Sequence, residues 1–385
     1  NNYPVSLQEM TVDEAKKRFT SGEQLRIYLG IDPTGPELHL GHTIPLLFLK
    51  QLLDLGHKPV LVIGDFTAKI GDPSGKSETR KSLTDREISN NLRTYLDQVY
   101  KILPEGKFEV YYNSSWLSKL SISEFMEIAS QISMHYMATR SMFRERMKDG
   151  QEKPFAVHEF LYPLMQGYDS VAMKIDGEVG GSDQIFNMLI GRDLMKKLLN
   201  KDKLVFATRL LVDAQSGRKM SKTEGGLISI TDSPANIYGQ TMKSIPDGMI
   251  ISMFELCTEK PTSWINGKIN SDPFSLKKEL AFELVKMYHG EKEAEKAAEE
   301  FNQVFSKREL PENIQEFSGE GKSILDFMAD NNLADSRSEG KRLVEQKAVK
   351  AGTRRSKYGD EEVVPLSGIR KAMAERVDLS RKTVA

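Results

Sequence analysis

Two histidines three residues apart are the first side chains whose spacing could support chemistry. An apolar run that is typical of a strand precedes His39 and His42, and a turn rich in Pro and Gly separates this run from the histidines. A helix that begins here would direct its backbone N–H groups and its positive end at an anion, most often a phosphate. Residues three apart share a helical face, so both imidazoles can point at one phosphoryl group. Two surface histidines, or part of a zinc site that needs further ligands, remain as alternatives.

A cationic loop lies much further along the chain. Lys219 and Lys222 stand between Gly217 and Gly225. Lysines on such loops are usually exposed surface charges. A reaction that expels pyrophosphate also requires this kind of loop, because the negative charge of the leaving group must be neutralised as it departs.

A short polar stripe occurs in an otherwise apolar and aromatic segment. Tyr162, Gln166 and Asp169 recur at positions i, i+4 and i+7, which places them on one face of a helix. Polar stripes are usually solvated faces, but this one is short and its flanks are apolar. The pattern therefore favours the wall of a pocket.

A turn at residues 71–77 resembles a P-loop only superficially. Its two glycines enclose three residues where a P-loop requires four, which excludes that motif. The turn could be structural, since Asp-Pro-Ser-Gly forms turns by composition alone. As a binding loop, it would offer Asp72 to an amine and Lys76 to an anion.

The elements that must position these residues alternate between strands and helices. Strand patterns at 25–31 and 58–63 enclose a helical pattern at 46–53, which predicts a right-handed βαβ unit. Further patterns predict helices at 84–100 and 121–173 and strands at 107–112 and 205–212. The fold class is therefore α/β, with an open parallel sheet interrupted by a helical insertion.

Beyond residue 233 the strand signal fades. Four helices are predicted there, at 235–243, 249–257, 273–289 and 292–305. A charged linker at 307–322 and two short helices within 323–351 follow, and residues 353–385 do not end on a recognisable strand pattern.

Composition excludes several classes of protein. The chain has 385 residues, with 54 Lys and Arg against 55 Asp and Glu, which suits two to three globular domains and excludes a wholly basic nucleic-acid coat protein. The single cysteine, Cys257, excludes an intramolecular disulfide framework and a multi-cysteine zinc site. The apolar stretches are far shorter than the roughly 18 residues that a membrane span needs. We expect a cytoplasmic protein without membrane association.

Together these segments resemble the class I aminoacyl-tRNA synthetases. His39-Leu40-Gly41-His42 is similar to their HIGH motif. The segment at 219–223 (Lys-Met-Ser-Lys-Thr) is similar to their KMSKS motif, with Thr at the last position. The order and spacing of the two motifs match the compact members that activate tyrosine or tryptophan.

The details are more similar to the tyrosine-specific members. The Tyr-x-Gly-x-Asp-Pro-Thr run at 28–34, the Gly-Asp-Pro-Ser-Gly loop at 71–75 and the polar stripe at 162–169 all match their pattern. A phenol hydroxyl both donates and accepts, so Asp169 could accept its proton while Tyr28 supplies a further hydrogen bond.

The resemblance implies a role for each candidate residue. The residues implied in catalysis at the ATP phosphates or pyrophosphate are Thr34, His39, His42, Lys219 and Lys222. Those implied in binding tyrosine are Tyr28, Asp72, Tyr162, Gln166, Asp169 and Gln184, with Asp72, Tyr162 and Gln166 at the α-ammonium and Asn113 and Trp116 supporting the pocket. Those implied in binding ATP or the adenylate are Gly30, Asp32, Gly41, Asp183, Met220, Ser221 and Lys222. Those implied in binding pyrophosphate or tRNA are Lys76, Arg80, Lys341 and Arg342.

The resemblance also implies domains and partners. Residues 1–230 would form a Rossmann-like catalytic domain whose helical insertion, about 117–155, makes a homodimer interface. Residues 231–320 would form a helical anticodon-binding domain, and 321–385 a small S4-like α+β RNA-binding domain that this sequence need not contain in full. The substrates would be L-tyrosine, tRNA(Tyr) and ATP accompanied by Mg²⁺, with no resident metal.

Three other functions fit parts of the pattern. A tryptophanyl-tRNA synthetase would share both motifs but usually lacks the Tyr-Gln-Asp set. A small-molecule nucleotidyltransferase would not need an RNA-binding region behind the lysine loop. A non-catalytic RNA-binding protein derived from a synthetase would be favoured by loss of His42 or Lys222, but both are present.

Overall fold

A computed structural model gives the structure of ten stretches of the chain. The described residues are 5–7, 12–74, 83–138, 156–212, 228–303, 323–330, 336–337, 341, 352–356 and 359–363. They fall into two compact units, one ending at residue 291 and the other starting at residue 292.

A six-stranded sheet forms the centre of the first unit. Its strands are β1 (Val5–Leu7), β2 (Arg26–Ile31), β3 (Lys58–Ile63), β4 (Glu109–Tyr112), β5 (Gly177–Gly181) and β6 (Leu204–Thr208). The spatial order is β1-β6-β5-β2-β3-β4, and every neighbouring pair is parallel except β1 with β6. Because β2, β3 and β6 are largely buried, their runs are continuously apolar rather than alternating. The predicted α/β class is confirmed.

Helices cover this sheet. They are α1 (Val12–Phe19), α2 (Leu40–Asp54), α3 (Asp85–Leu92), α4 (Tyr95–Tyr100), α5 (Ser114–Leu117), α6 (Ile122–Ser130), α7 (Met134–Ala138), α8 (Val157–Met173) and α9 (Ile185–Leu199). The helix predicted at 84–100 is two helices, α3 and α4, and the pattern at 121–173 contains α6, α7 and α8. None of the described helices is both long and apolar enough to cross a membrane.

The strand order creates a switch point between β2 and β5. From β2 the chain proceeds outward to β3 and β4, whereas from β5 it proceeds to β6 on the other side. In open α/β sheets, ligands bind in the crevice at the carboxyl ends of the strands that flank such a point. A binding site is therefore expected at the segments that follow β2 and β5.

Strand β5 is absent from the sequence prediction for a physical reason. Its sequence, Gly-Glu-Val-Gly-Gly, has little intrinsic strand propensity. The glycines are needed for close packing, since a Cβ on Gly177 would lie 3.2 Å from both Ile27 Cγ1 and Leu204 Cβ. The run predicted as a strand at 205–212 is shorter in the structure and ends at Thr208.

The helical region that was predicted beyond residue 233 follows the sheet. Its helices within the first unit are α10 (Pro234–Ser244), α11 (Ile250–Cys257), α12 (Thr262–Asn266) and α13 (Pro273–His289). For α13 the bounds agree because the sequence carries its own signals: the Asp272 carboxylate accepts from the Ser275 N–H at 2.8 Å, and Gly290 adopts a φ of 90° after the last turn. Helix α12 has only five residues, too few for a periodic pattern.

The second unit contains helices and a hairpin. Helix α14 (Glu291–Phe301) begins at the boundary of the two units, and α15 (Ile324–Asp330) follows. Strands β7 (Gly352–Ser356) and β8 (Gly359–Val363) pair in antiparallel fashion. This hairpin was not located by the sequence analysis, because charged strands such as Gly-Thr-Arg-Arg-Ser carry no apolar alternation.

Candidate active site

The loops after β2 and β3 meet at the carboxyl edge of the sheet. Asp32 accepts hydrogen bonds from Thr67 Oγ1 at 2.7 Å and from Tyr162 Oη at 2.8 Å. A Cβ on Gly64 would lie 1.9 Å from Asp32 Oδ1, so only glycine leaves room for this carboxylate. The sequence analysis missed Gly64 and Thr67, although a glycine directly after a buried strand is a recognisable signal for a close approach.

The two histidines lie at the start of α2. His39 is the residue before the helix, and its ring stacks on that of His42 with centroids 3.6 Å apart and planes 17° apart. The His39 N–H donates to His42 Nδ1 at 3.3 Å. The structure therefore brings both imidazoles together at the positive end of a 15-residue helix, where an anion is stabilised.

A second chain segment is anchored beside His39. His39 forms an antiparallel bridge with Ser229, and the Leu40 N–H donates to the Ile228 carbonyl oxygen at 3.0 Å. Ser229 is the second described residue after the lysine loop. The chain that resumes at Ile228 is thus held next to the histidines.

Hydrogen-bond acceptors are in excess around one side-chain amide. Asn187 Nδ2 lies 2.9 Å from Gln166 Oε1, 3.1 Å from Gln184 Oε1, 3.2 Å from Ser74 Oγ and 3.5 Å from Asp72 Oδ1. An NH₂ group has two hydrogens and cannot serve four acceptors at once. Gln184 Nε2 donates to Asp72 Oδ2 at 2.7 Å. A carboxylate and two amide oxygens that converge in this way suit a group with several N–H donors and a positive charge.

The three residues predicted at the ammonium are only partly brought together. Asp72 and Gln166 both face Asn187, whereas the hydroxyl of Tyr162 donates to Asp32. Asn187 was not singled out by the sequence analysis, because an asparagine inside a helix has no distinctive pattern.

A buried carboxylate, that of Asp169, lies on α8 three residues after Gln166. Asp169 is 4% exposed and accepts from Trp116 Nε1 at 2.7 Å and from Asn113 Nδ2 at 3.3 Å. Burial raises the pKa of Asp169 well above its ordinary value, while these two hydrogen bonds act in the opposite direction. Two carboxylate oxygens offer about four lone-pair sites, so Asp169 can accept a further hydrogen bond.

Tyr28 lies on β2, buried in the same region. Its hydroxyl lies 3.1 Å from Ser170 Oγ and donates to the Gln166 carbonyl oxygen at 3.4 Å. Burial, reinforced by the charges of Glu178 and Asp169, raises the pKa of Tyr28 well above 10.0. The hydroxyl therefore keeps its proton and can donate it.

An ion pair missed by the sequence analysis lies behind Tyr28. Lys203 and Glu178 are both buried, and the β2–β5 register places Glu178 beside Tyr28. Burial lowers the pKa of Lys203, and the carboxylate of Glu178 opposes that shift. Isolated charges in a strand pattern give no sequence signal for such a pair.

The remaining predicted residues have various positions. Thr34 is exposed in the turn after Asp32, and Gly30 is the exposed fifth residue of β2. Gly41 lies in the first turn of α2, and Asp183 lies in the 3₁₀ helix Ser182–Gln184. Lys341 is exposed in the second unit. The candidates outside the described residues are Lys76, Arg80, Lys219, Met220, Ser221, Lys222 and Arg342. Within the described part of the chain, no group of three or more His, Cys, Asp or Glu side chains could hold a metal ion.

Comparison with known proteins decides the family. The model of the family described as tRNA synthetases class I (W and Y) matches residues 20–306. The tyrosine–tRNA ligase of Carboxydothermus hydrogenoformans is 41% identical over 357 residues, which cover 89% of this chain and 86% of that protein. The chain belongs to the tyrosine–tRNA ligase family. This synthetase is therefore a ligase of the class I aminoacyl-tRNA synthetases.

Other similar proteins agree with this membership. The tyrosine–tRNA ligase of Thermotoga maritima is 41% identical to the synthetase over 345 residues, 88% of this chain and 85% of that protein. A truncated mitochondrial tyrosyl-tRNA synthetase from Aspergillus nidulans shares the fold, with a TM-score of 0.64 at 23% identity over 79% of this chain and 92% of that one. An Archaeoglobus fulgidus tyrosyl-tRNA synthetase in complex with L-tyrosine also shares the fold. Its TM-score is 0.59 at 21% identity, and the match covers 76% of this chain and 96% of that one.

Proposed function

We propose that this synthetase activates L-tyrosine with ATP and then charges tRNA(Tyr). In the first step the tyrosine carboxylate attacks the α-phosphorus in line; the new O–P bond forms as the bond to pyrophosphate breaks. In the second step a hydroxyl of the terminal ribose of the tRNA attacks the carbonyl carbon; the ester bond forms as the anhydride bond to AMP breaks, and the hydroxyl proton passes to the departing phosphate or to water. Neither step requires a covalent enzyme intermediate, so the protein contributes positioning and charge stabilisation.

The acceptor excess around Asn187 is the observation that carries this proposal. Asp72, Gln166 and Gln184 would each accept a hydrogen bond from the α-ammonium. These bonds would replace those to the Asn187 amide, which has too few hydrogens for all its acceptors. Gln166 and Asp169 are three residues apart on α8, about 4.5 Å along its axis. One helix face thus serves both ends of a single amino acid.

The phenol end explains a preference for tyrosine over tryptophan. Tyr28 keeps a proton to donate, and Asp169 has acceptor capacity left. A phenol hydroxyl accepts from the first and donates to the second. An indole N–H can only donate, so tryptophan could not accept a hydrogen bond from Tyr28.

The ATP phosphates would bind at the start of α2. His39 and His42, with Thr34 close by, would stabilise charge on the phosphates during the attack. Gly30, Asp32, Gly41 and Asp183 would contact the nucleotide or the adenylate, together with Met220 and Ser221. Magnesium would enter with ATP, coordinated through the phosphates.

The lysine loop would act on the departing pyrophosphate. Lys222 precedes Ile228 by six residues, and Ile228 is bonded to Leu40 beside the histidines. A chain of six residues spans at most about 20 Å and one of nine at most about 30 Å, so both Lys222 and Lys219 could reach the phosphates from Ile228.

The tRNA would use the rest of the chain. We assign residues 231–320 to anticodon binding and 321–385, with Lys341 and Arg342, to an S4-like domain. Lys76 and Arg80 would face pyrophosphate or the acceptor end. Protein synthesis and a buried, unpaired cysteine both suit the cytoplasm.

We also propose a homodimer formed through the helical insertion. Four large apolar side chains are strongly exposed in or next to it: Ile122, Met126, Met134 and Val157. Ile122 and Met126 are four residues apart on α6 and share a face. Such exposed apolar clusters mark interaction surfaces.

The dimer makes a direct prediction. The wild-type protein should sediment at twice its 43.5 kDa mass, and the double variant Ile122→Lys/Met126→Lys should shift to the monomer, because two charges would be buried in the interface. Ile269→Lys changes an exposed apolar residue outside the insertion and should remain dimeric. Analytical ultracentrifugation measures all three, and a monomeric wild type would refute the assignment.

The ammonium site is tested with an analogue that lacks the amino group, 3-(4-hydroxyphenyl)propanoate. Asp72→Asn should weaken L-tyrosine binding about tenfold while leaving analogue affinity nearly unchanged, because only the ammonium contacts this carboxylate. Asp65→Asn is the matched control, since Asp65 bonds to Ser114 outside the cluster. Calorimetric titration gives both dissociation constants, and equal losses for the two ligands would remove Asp72 from the site.

A further inference from the structure

A completely buried ion pair lies directly behind the proposed amino-acid pocket. Lys203 Nζ is 2.5 Å from Glu178 Oε2, with side-chain exposures of 0% and 2%. Charged side chains are almost never buried to this extent unless they are paired. Even a good pair is seldom more stabilising than apolar residues of the same volume. The pair therefore needs an explanation other than stability.

Glu178 fixes the orientation of a pocket residue. Its Oε1 accepts from Gln166 Nε2 at 3.0 Å. A carboxylate can only accept, so it must hold the NH₂ end of that amide. Gln166 Oε1 is then turned the other way, toward Asn187 Nδ2 at 2.9 Å and the acceptor cluster. Without Glu178 the amide could turn over and present N–H donors to an ammonium, which would repel it.

Lys203 extends the same control to the phenol end. Its Nζ donates to Ser170 Oγ at 2.9 Å, and Ser170 Oγ lies 3.1 Å from Tyr28 Oη. An ammonium can only donate, so Ser170 accepts from Lys203 and has its own proton available for Tyr28 Oη. The Tyr28 proton is then directed onward to another oxygen.

Gly191 on α9 makes room for this arrangement. A Cβ at this position would lie 2.4 Å from Lys203 Nζ and 2.9 Å from Ser170 Oγ. Any side chain there would displace the ammonium from its partners.

We propose that the buried Lys203–Glu178 pair is a positioning device for the amino-acid substrate, which holds the Gln166 carboxamide with its oxygen toward the substrate ammonium. This inference rests on the proposed ammonium site. Neither residue touches the substrate, and both act through Gln166 and Ser170.

The test compares two double variants that both remove the charges. Glu178→Met/Lys203→Met leaves Gln166 Nε2 without an acceptor, whereas Glu178→Gln/Lys203→Met restores an acceptor oxygen. The readout is the ratio of the dissociation constants of 3-(4-hydroxyphenyl)propanoate and L-tyrosine, measured by calorimetry. We expect the methionine pair to lower this ratio about tenfold, the scale of one hydrogen bond to a charged group. The glutamine variant should regain part of it, because its amide oxygen can accept from Gln166 Nε2 although its own N–H groups, unlike a carboxylate, can also donate.

The outcomes separate this inference from the proposed function. A ratio unchanged in the methionine pair, or both ligands weakened equally, would overturn the positioning role. A wild-type ratio near one, unaffected by Asp72→Asn, would instead overturn the ammonium site itself. If the methionine pair does not fold, Glu178→Ala carries the same test, since it also removes the acceptor of Gln166 Nε2 and should lower the ratio in the same direction; an unchanged ratio there would equally contradict the proposal.

Discussion

Replacing His42 with alanine should slow formation of the adenylate by about 10²- to 10³-fold while leaving the affinity for L-tyrosine nearly unchanged. The imidazole stacks on His39 at the start of α2, where we propose that negative charge develops as pyrophosphate begins to leave. Removing one pre-positioned donor to such charge costs roughly 10²–10³ in rate. The contact strengthens only in the transition state, so substrate binding should not report it.

Stopped-flow measurement of the single-turnover rate, with calorimetric binding of tyrosine beside it, separates the two quantities. Tyrosine affinity serves as the internal control, since the ammonium and phenol contacts are made by other elements. A His42→Ala rate equal to wild type would exclude the imidazole from the chemical step. A loss confined to tyrosine affinity would place it in the amino-acid pocket instead.

Asp169→Asn should reduce discrimination between tyrosine and phenylalanine by roughly 10- to 100-fold. The amide has one acceptor oxygen where the carboxylate has two. Trp116 Nε1, Asn113 Nδ2 and the substrate phenol would then compete for that oxygen. Leaving a buried polar group unpaired costs about 1–3 kcal/mol, and this cost falls on tyrosine but not on phenylalanine.

The ratio of kcat/KM for the two amino acids measures this effect. Trp116→Phe is the matched control, because it removes one competing donor and keeps the carboxylate, and it should retain most of the discrimination. Thermal unfolding midpoints of both variants show whether the fold is intact. Unchanged discrimination in a folded Asp169→Asn protein would remove Asp169 from recognition of the phenol.

Local signals were enough to predict much of the fold. The apolar run at β3 and the Asp-Pro entry and Gly exit of α13 are properties of short segments, and the structure has those elements where they were expected. Strand β5 escaped prediction because its glycines are selected by neighbours across the sheet rather than by strand propensity.

In the site, too, local patterns could be predicted from the sequence and contacts between distant segments could not. The stripe of Gln166 and Asp169 was visible because helical spacing is a local pattern. Glu178 was not, since its hydrogen bond to Gln166 and its pairing with Lys203 exist only once α8, β5 and β6 are assembled. Sequence reasoning therefore found groups that would touch the substrate more readily than groups that orient them.

ATP–pyrophosphate exchange with single amino acids tests the central claim most directly. The account predicts rapid exchange with L-tyrosine and, at the same concentration, far slower exchange with phenylalanine and tryptophan, because neither can satisfy both Tyr28 and Asp169. Exchange with tryptophan as fast as with tyrosine, or no exchange with any amino acid, would contradict it.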